Sequence, residues 1–563
     1  NNVVPPDDGM YLAALPALLS DAGVIVDGKP IAADEMREQI RKEILELSVY
    51  FVDDDRTGRI ELVVAGAGNG AAETKTAFGW MRRVLFTPDW RPANVPRLRD
   101  LVDQRITGLR ARMLGAEEGW VNDPRDAWRH QSTLQAHTSS FLTQMHDLHR
   151  LRWQLLDPND AKVTDEVTRF LAMLGDQSKL PRAQLVDLAK SLAKLDDAKD
   201  KPKAANKAYD AATKLSGAAK PLAIAAGKDL SALLADLPDG SLAADWKYLA
   251  RQMAGDLKVG APTALVKIEA LRSQIIQGPH ARLVEVASRA TQAALAGELE
   301  KLVRDLPIPQ HASASTGPVL ERPFHDRLMG RDPSAVAPRF VGLVAPGTSS
   351  GVFLNLVPAT WYGDVTDDAV IEYLASNLYT GHGGHSIFMK TWAAGLAYSN
   401  GLRPNIDGGV LVYYAERTPL LPTTLKFVID QLKKAKPDPA IARYAIATAF
   451  SSRVASGYES RASAMAANLV DGQTPDIVKA FRTRVLEMSK QPDLATKLFA
   501  RMEAAYGKVL PGYGSLDPKG TYFVIGPEKQ LAAWEDYLEA TYKDPKLAKL
   551  HRLYPRDFWI PAP

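Results

Sequence analysis

Strand-type sequence occurs in two separate places in this chain, and helical patterning fills most of the rest. Near the N-terminus, the runs Leu47–Val52 and Ile60–Val64 flank a turn rich in Asp and Gly, which predicts a β-hairpin. After residue 337, the strings RFVGLVAP, GVFLNLVPATW, GGVLVYYAE and GTYFVIGP are typical of buried strands. The sequence therefore predicts an α+β fold, in which helices pack on antiparallel or mixed sheets.

The order of these elements is similar in the two halves of the chain, which predicts two homologous two-layer domains. We expect the first domain at residues 1–305 and the second at 338–563, joined by a linker at 306–337 that is rich in Pro, Ser, Gly and Ala. Residues of about 158–240 are rich in Ala, Lys and Asp and predict a helical insertion in the first domain. Both a solvated surface and an interaction arm remain open as roles for this insertion.

Composition excludes several classes of function. The 563 residues carry a formal net charge of +3, and acidic residues are interleaved with basic ones, so no basic stripe indicates nucleic acid. The absence of cysteine excludes disulfides, thiolate zinc sites, iron–sulfur clusters and a cysteine nucleophile. No apolar run approaches the ~20 residues that a transmembrane helix needs. We therefore expect neither a nucleic-acid partner nor a membrane span.

Two pairs of histidines have the spacing of candidate metal ligands. His382 and His385 lie in the string GHGGHSIFMK, and His146 and His149 lie in MHDLHRLRW. Neither pair has an evident third ligand, which catalytic zinc sites usually have, and the strings H-E-x-x-H and H-x-x-E-H do not occur. We therefore predict that His146 and His149 lie on a polar helix surface, that His382 and His385 have structural or substrate-contacting roles, and that this chain binds no metal.

Several strings together resemble one family of enzymes. FMKTWAAGLAYSNG, followed by GGVLVYYAE and then LLPTTLKFVIDQL, resembles the C-terminal half of pitrilysin/insulinase-type zinc metallopeptidases. LPALLSDAG, VVAGAG and LRDLVDQRITGLRARMLGAEEGWVNDPR look like the third domain of the presequence-protease-like branch. The resemblance covers about four-fifths of the chain, and the Lys/Ala-rich insertion has no counterpart in it.

The resemblance implies a division of labour between two half-enzymes that enclose a peptide. The N-terminal half of such a peptidase carries H-x-x-E-H and binds zinc, whereas the C-terminal half supplies an Arg and a Tyr that hold the substrate backbone and the developing oxyanion. In this chain the Tyr corresponds to Tyr398. The family Arg precedes the Tyr by six or seven residues, where this chain has Trp392 and Thr391, so Lys390 is the nearest basic substitute.

The expected function is therefore the non-zinc-binding half of a zinc metalloendopeptidase. Tyr398 and Lys390 are its expected catalytic groups, and Gly395, Ala397 and His385 are expected to contact substrate. The expected partners are a complementary N-terminal half, which would hold the zinc, and peptide substrates. The alternative is a catalytically inactive partner subunit or a peptide-binding scaffold of such an assembly, which the replaced Arg favours.

The N-terminal sequence carries a further expectation about completeness. NNVVPPDD resembles the loop that follows the first sheet strand of the family, so that strand would precede Asn1. A sheet without it would have an open edge with unpaired backbone groups. We expect the chain to be a fragment of a longer polypeptide or a separate subunit whose start was trimmed.

Overall fold

The computed structural model describes residues 4–54, 57–196, 201–308, 321–451 and 457–560. We call residues 4–308 the first unit and residues 321–560 the second unit. Residues 309–320 of the predicted linker lie outside the described residues. The predicted α+β class is confirmed, because helices and β-strands occur in both units. The domain boundaries remain predictions.

Ten strands lie in the described residues, and they divide unequally between the two units. In chain order they are β1 (Val24–Val26), β2 (Lys29–Ile31), β3 (Glu46–Asp54), β4 (Arg59–Ala67), β5 (Phe340–Val344), β6 (Gly351–Pro358), β7 (Ser399–Asn405), β8 (Val410–Thr418), β9 (Thr521–Gly526) and β10 (Leu550–Leu553). In its described residues the first unit has two antiparallel strand pairs, β1–β2 and the predicted hairpin β3–β4.

The second unit is built on one mixed sheet of six strands, in the order β10-β5-β9-β6-β8-β7. The strands β10, β5 and β9 pair in parallel, and the remaining pairs are antiparallel. Strand β7 is therefore an edge strand with β8 as its partner in the sheet. Its Pro404 suits this position, since proline cannot donate a hydrogen bond to a second neighbouring strand.

Helices make up most of the first unit. They are α1 (Leu15–Ser20), α2 (Ala33–Glu43), α3 (Ala71–Phe86), α4 (Val95–Arg112), α5 (Asn122–His130), α6 (Thr133–Ser139), α7 (Phe141–Leu155), α8 (Ala161–Gly175), α9 (Arg182–Ala193), α10 (Lys207–Thr213), α11 (Lys220–Leu233), α12 (Leu242–Ile275) and α13 (Arg289–Arg304). The helices α8 to α11 occupy the predicted insertion and pack with α12 around their own apolar core. Helix α12 is kinked at Gly260, whose φ of 72° is left-handed.

Ten helices lie in the described part of the second unit, nine of them after the first strand of the sheet. They are α14 (Pro323–Arg331), α15 (Asp367–Ser376), α16 (Ile387–Ala393), α17 (Leu421–Lys433), α18 (Pro439–Ser451), α19 (Tyr458–Val470), α20 (Pro475–Met488), α21 (Leu494–Gly507), α22 (Glu528–Thr541) and α23 (Pro545–Ala548). Helix α14 lies inside the predicted linker. None of the helices in the described ranges is both long and apolar enough to cross a membrane.

The two faces of the six-stranded sheet pack against different parts of the molecule. Side chains that alternate along β6 separate the faces, since neighbouring residues of a strand point in opposite directions. Leu354 joins a core that includes Trp120 and Phe141 of the first unit. Phe353 joins a core formed with helices of the second unit, where its ring lies 4.3 Å from that of Trp534. The sheet therefore fixes the position of the two units relative to each other.

Candidate functional site

Helix α16 and the turn after it place Tyr398 at the start of β7. The hydroxyl of Ser386 caps the helix by accepting the N–H of Met389 at 3.2 Å. At the other end, Gly395 takes a left-handed φ of 67°, and the N–H of Leu396 donates to the carbonyl of Thr391 at 3.1 Å. This is the common glycine-containing helix C-terminus, in which two late carbonyls find partners. Gly395 therefore shapes the turn that leads to Tyr398.

The turn is also fixed from outside. The hydroxyl of Thr424 in α17 donates to the carbonyl of Leu396 at 2.9 Å, and Ala397 is buried. The side chain of the next residue, Tyr398, is 59% exposed. A large aromatic side chain is thus presented to solvent from a backbone that is held on both sides.

An arginine from the neighbouring strand lies against Tyr398. The guanidinium carbon of Arg417, near the end of β8, lies 4.6 Å from the centre of the Tyr398 ring. A cation in this position is attracted by the negative face of the ring. The backbone of Arg417 has a φ of 48°, a left-handed conformation that is unfavourable for a residue with a β-carbon. Such strained residues cluster at functional sites, which makes Arg417 a candidate functional residue.

The first unit contributes two carboxylates to the surroundings of Arg417. Glu117 and Glu118 lie in a short 3₁₀ turn, Glu117–Gly119, between α4 and α5. Glu117 accepts the backbone N–H of Arg417 at 3.1 Å and the hydroxyl of Ser350. Glu118 pairs with Nη2 of Arg417 at 3.1 Å. The cation of Arg417 is therefore held between an aromatic ring and a carboxylate.

A second arginine–tyrosine stack lies close by on the same pair of strands. The guanidinium carbon of Arg403 in β7 lies 4.6 Å from the ring centre of Tyr414 in β8. Between the two stacks, Ser399 pairs in register with the buried Glu416. Burial, together with the nearby Glu118 carboxylate, raises the pKa of Glu416 above its usual range. The end of β7–β8 thus offers cations, hydroxyls and aromatic rings together.

The recorded side-chain contact of Lys390 is not with Tyr398. The ammonium of Lys390 donates to the side-chain oxygen of Gln431 in α17 at 3.4 Å. The guanidinium beside Tyr398 belongs to Arg417, which the sequence reasoning missed because it considered only residues preceding Tyr398. The signal was present in the string GGVLVYYAERT, where Arg417 ends the strand that pairs with β7.

The candidate histidines have aromatic neighbours. His385 lies edge-on to Tyr444, with ring centres 4.5 Å apart, and burial and the charge of Lys390 lower its pKa. His382 is exposed, and its ring lies edge-on to that of Phe388, with ring centres 4.8 Å apart. The polar helix surface predicted for His146 and His149 is wrong, because both side chains are buried where α7 packs inside the first unit. Within the described ranges, no group of three His, Asp or Glu side chains has an arrangement that could hold a metal ion.

Comparison with known proteins gives distant similarities only. The chain is similar in fold to a peptidase M16 inactive domain from Pseudomonas fluorescens, with 12% identity, a TM-score of 0.43 and coverage of 92% of this chain and 88% of that chain. It is also similar to a protease from Helicobacter pylori, with 10% identity, a TM-score of 0.44 and coverage of 93% of this chain and 91% of that chain. A ferredoxin protease solved with Arabidopsis ferredoxin shares 10% identity, with a TM-score of 0.37 and coverage of 92% of this chain and 40% of that chain. No family model and no curated protein matches the chain.

Proposed function

We propose that this chain is the non-zinc-binding half of a zinc metalloendopeptidase of the pitrilysin/insulinase type, and that Tyr398 and Arg417 bind the backbone of an enclosed peptide. The observation that carries the proposal is the exposed Tyr398 ring with the Arg417 guanidinium stacked 4.6 Å from its centre. Both groups can donate hydrogen bonds to carbonyl oxygens. An Arg and a Tyr are also the pair that the sequence resemblance implies for this half of the enzyme.

Arg417 replaces Lys390 in this proposal. A guanidinium has five N–H donors in a planar fork, whereas an ammonium is a compact charge without that geometry. Lys390 instead contacts the side-chain oxygen of Gln431 in α17 at 3.4 Å. Gly395 and Ala397 serve the site by shaping the turn, and His385 borders it through its contact with Tyr444.

In the proposed reaction the hydroxyl of Tyr398 donates to the oxyanion that forms at the attacked carbonyl. A single donor of this kind contributes about 3 kcal/mol to transition-state stabilisation. Arg417 holds a neighbouring carbonyl of the same peptide and so orients it. Zinc in the complementary N-terminal half would supply the activated water. The histidine pairs of this chain do not provide a donor set for that zinc, because each pair lacks a third ligand in the described residues.

A second candidate function is a peptide-binding scaffold without catalysis. One observation favours it, namely that the charge of Arg417 is already neutralised by Glu118 at 3.1 Å. A neutralised guanidinium still donates hydrogen bonds to peptide carbonyls, but it stabilises a developing negative charge less well. Both candidates require peptide binding by the same residues, and they differ in turnover.

The test begins with binding by the chain alone. We expect it to bind fluorescein-labelled β-casein, an unfolded polypeptide, with a rise in fluorescence anisotropy. Tyr398→Phe and Arg417→Lys are expected to weaken this binding, and Lys390→Gln is the matched control that should not. Equal affinity of all four proteins would remove the pair from peptide binding and overturn the proposal.

The two candidates are separated by cleavage after addition of an N-terminal half that carries H-x-x-E-H. The peptidase function predicts that Tyr398→Phe lowers kcat about 10²-fold, because one oxyanion donor is lost. The scaffold function predicts no turnover in the wild-type mixture although casein binds. Turnover that is unaffected by Tyr398→Phe would exclude a catalytic role for this hydroxyl.

A further inference from the structure

We infer that Glu117 and Glu118 of the first unit are positioning residues for Arg417, so that the Tyr398 site is complete only when the two units are in contact. The inference rests on the proposed function, since it concerns how that site is held. Its basis is that both carboxylates come from one turn of the first unit, while Tyr398 and Arg417 belong to the second.

Glu117 acts on the backbone of Arg417. One carboxylate oxygen accepts the N–H of Arg417 at 3.1 Å, and the other accepts the hydroxyl of Ser350 in the turn before β6. Glu117 itself is buried. A buried carboxylate held by two donors is a rigid acceptor. It therefore stabilises the left-handed backbone at Arg417, which an isolated strand end would not favour.

Glu118 acts on the side chain of Arg417. Its carboxylate pairs with Nη2, which leaves Nη1 and Nε free of that contact. A long arginine side chain loses rotamer freedom when it is held in this way, and a ligand then no longer has to order it. The stack on Tyr398 is preserved while donors remain for a peptide carbonyl. Glu118 thus prepares the guanidinium for binding.

The turn Glu117–Gly119 follows α4 and precedes α5, both of which belong to the core of the first unit. Movement of this turn away from β8 would remove both carboxylates from Arg417 at once. The guanidinium would then lose its fixed place over the Tyr398 ring. Peptide binding at Tyr398 is therefore coupled to the contact between the units.

The experiment measures the affinity of the full chain for fluorescein-labelled β-casein. Glu118→Gln removes the charge with little change in shape, and we expect about 5-fold weaker binding, as for loss of one partly exposed ion pair. Glu300→Gln is the matched control, because Glu300 pairs with Arg304 on an exposed helix face and should leave the affinity unchanged. Glu117→Gln is a second variant, in which the weaker acceptor should also reduce affinity.

A double-mutant cycle separates positioning from a general structural effect. If Glu118 acts through Arg417, Glu118→Gln should change the affinity less than 2-fold once Arg417 is already replaced by alanine, which has no charge to pair with Glu118. Additive effects in the cycle, or unchanged affinity of Glu118→Gln, would overturn the inference while the weakening by Tyr398→Phe and Arg417→Lys still supports the proposed function. If those two variants also bind normally, both the proposed function and the inference fail.

Discussion

Two arginines of the second unit contact carboxylates of the first, and their surroundings differ sharply. Arg556 meets Asp245 where both side chains are almost completely buried, with 7% and 0% of their surface exposed. Arg417 meets Glu118 where 40% and 28% remain exposed. A guanidinium–carboxylate pair can therefore either stabilise the fold or present an arginine to a ligand. Burial decides which purpose is served, because it sets the cost of leaving a charge without its partner.

The buried contact belongs to a densely bonded junction near the C-terminus of the chain. Nε of Arg556 donates to Asp245 at 3.0 Å, and Asp557 accepts from Arg331 at 2.6 Å. Next to this pair, the ring of Trp559 stacks on His146 of α7 at 4.8 Å. Such a junction can hold the C-terminal segment against the first unit.

The partly exposed contact between Arg417 and Glu118 can be replaced by a contact with a ligand more easily than the buried one. Partly exposed ion pairs contribute about 0–1 kcal/mol to stability, so a ligand can compete for such an arginine at low cost. The strained backbone of Arg417 would be an unexplained cost in a purely structural pair. In our proposal Arg556 stabilises the fold and Arg417 binds a ligand, and the following measurements test this difference.

The largest effect is expected from the buried contact. Asp245→Asn removes one of the two carboxylates, Asp245 and Asp557, that pair with the buried Arg556 guanidinium, which should lower the free energy of unfolding by about 2–3 kcal/mol. Denaturant titration followed by circular dichroism measures this loss. Asp34→Asn is the control, because Asp34 pairs with Arg37 on an exposed helix face. A loss below about 1 kcal/mol would show that burial does not distinguish the two contacts.

A pH-dependent loss of stability is expected from His146. Burial lowers the pKa of His146 well below 6.5, and the charge of the nearby Arg150 acts in the same direction. Below about pH 6.5 the unfolded chain therefore binds a proton that the folded chain does not, so folding stability falls as the pH falls. Below pH 6.5 the free energy of unfolding should fall by up to about 1.4 kcal/mol per pH unit because of His146, and this dependence should fade out as the pH rises above 6.5.

His146→Phe keeps an aromatic ring against Trp559 but cannot take up the proton. Unfolding of this variant and of the wild type should be compared between pH 7.5 and 5.5, where the wild type should lose stability more steeply. Parallel profiles would show that His146 is not held neutral at the junction. The comparison of slopes is independent of any constant loss of stability that arises because Oε1 of Gln252, which accepts from Nε2 of His146 at 3.1 Å, loses its donor in the variant.

The smallest change in stability is expected for Arg417→Gly. Glycine accepts a φ of 48° without strain, which gains about 1 kcal/mol, while loss of the ion pair and of the stack on Tyr398 costs a similar amount. The unfolding free energy should therefore change by less than about 1 kcal/mol while β-casein binding weakens. Arg403→Gly is the matched control, since Arg403 also stacks on a tyrosine but lies within strand β7, where glycine is unfavourable.

In that control variant we expect a loss of stability of about 0.5–1 kcal/mol from the backbone alone. If Arg417→Gly is the more destabilising of the two, the strain at Arg417 does not exist in solution. If it is as stable as the wild type and also binds β-casein normally, Arg417 has no role in the site.

Much of the fold follows from local patterns. The hairpin predicted at residues 47–64 is confirmed as β3 and β4, with a pairing register of nine residues on each strand. The four strand-type strings after residue 337 are confirmed as β5, β6, β8 and β9. The strands β5, β6 and β9 are rich in apolar residues because both of their faces are buried, whereas residues of β8 alternate between buried and partly buried positions. The burial of such strands can therefore be predicted from the apolar composition of their sequences.

The strand that matters most for the site carries no such pattern. Strand β7 has the sequence SNGLRPN, with one large apolar residue and a proline, and its strand character comes from pairing with β8. Edge strands need fewer apolar residues, so composition does not reveal them. Strand β10, LHRL, is similarly short and becomes a strand by pairing in parallel with β5.

The sequence by itself determined the α+β class and the principal strands, because the periodicity of apolar residues is a local property of the chain. The tertiary structure alone decided that Arg417 lies over Tyr398, that Glu117 and Glu118 hold it, and that Lys390 turns to Gln431. These contacts join residues far apart in the chain, and they depend on strand register and on the packing of the two units. No spacing in the sequence encodes them.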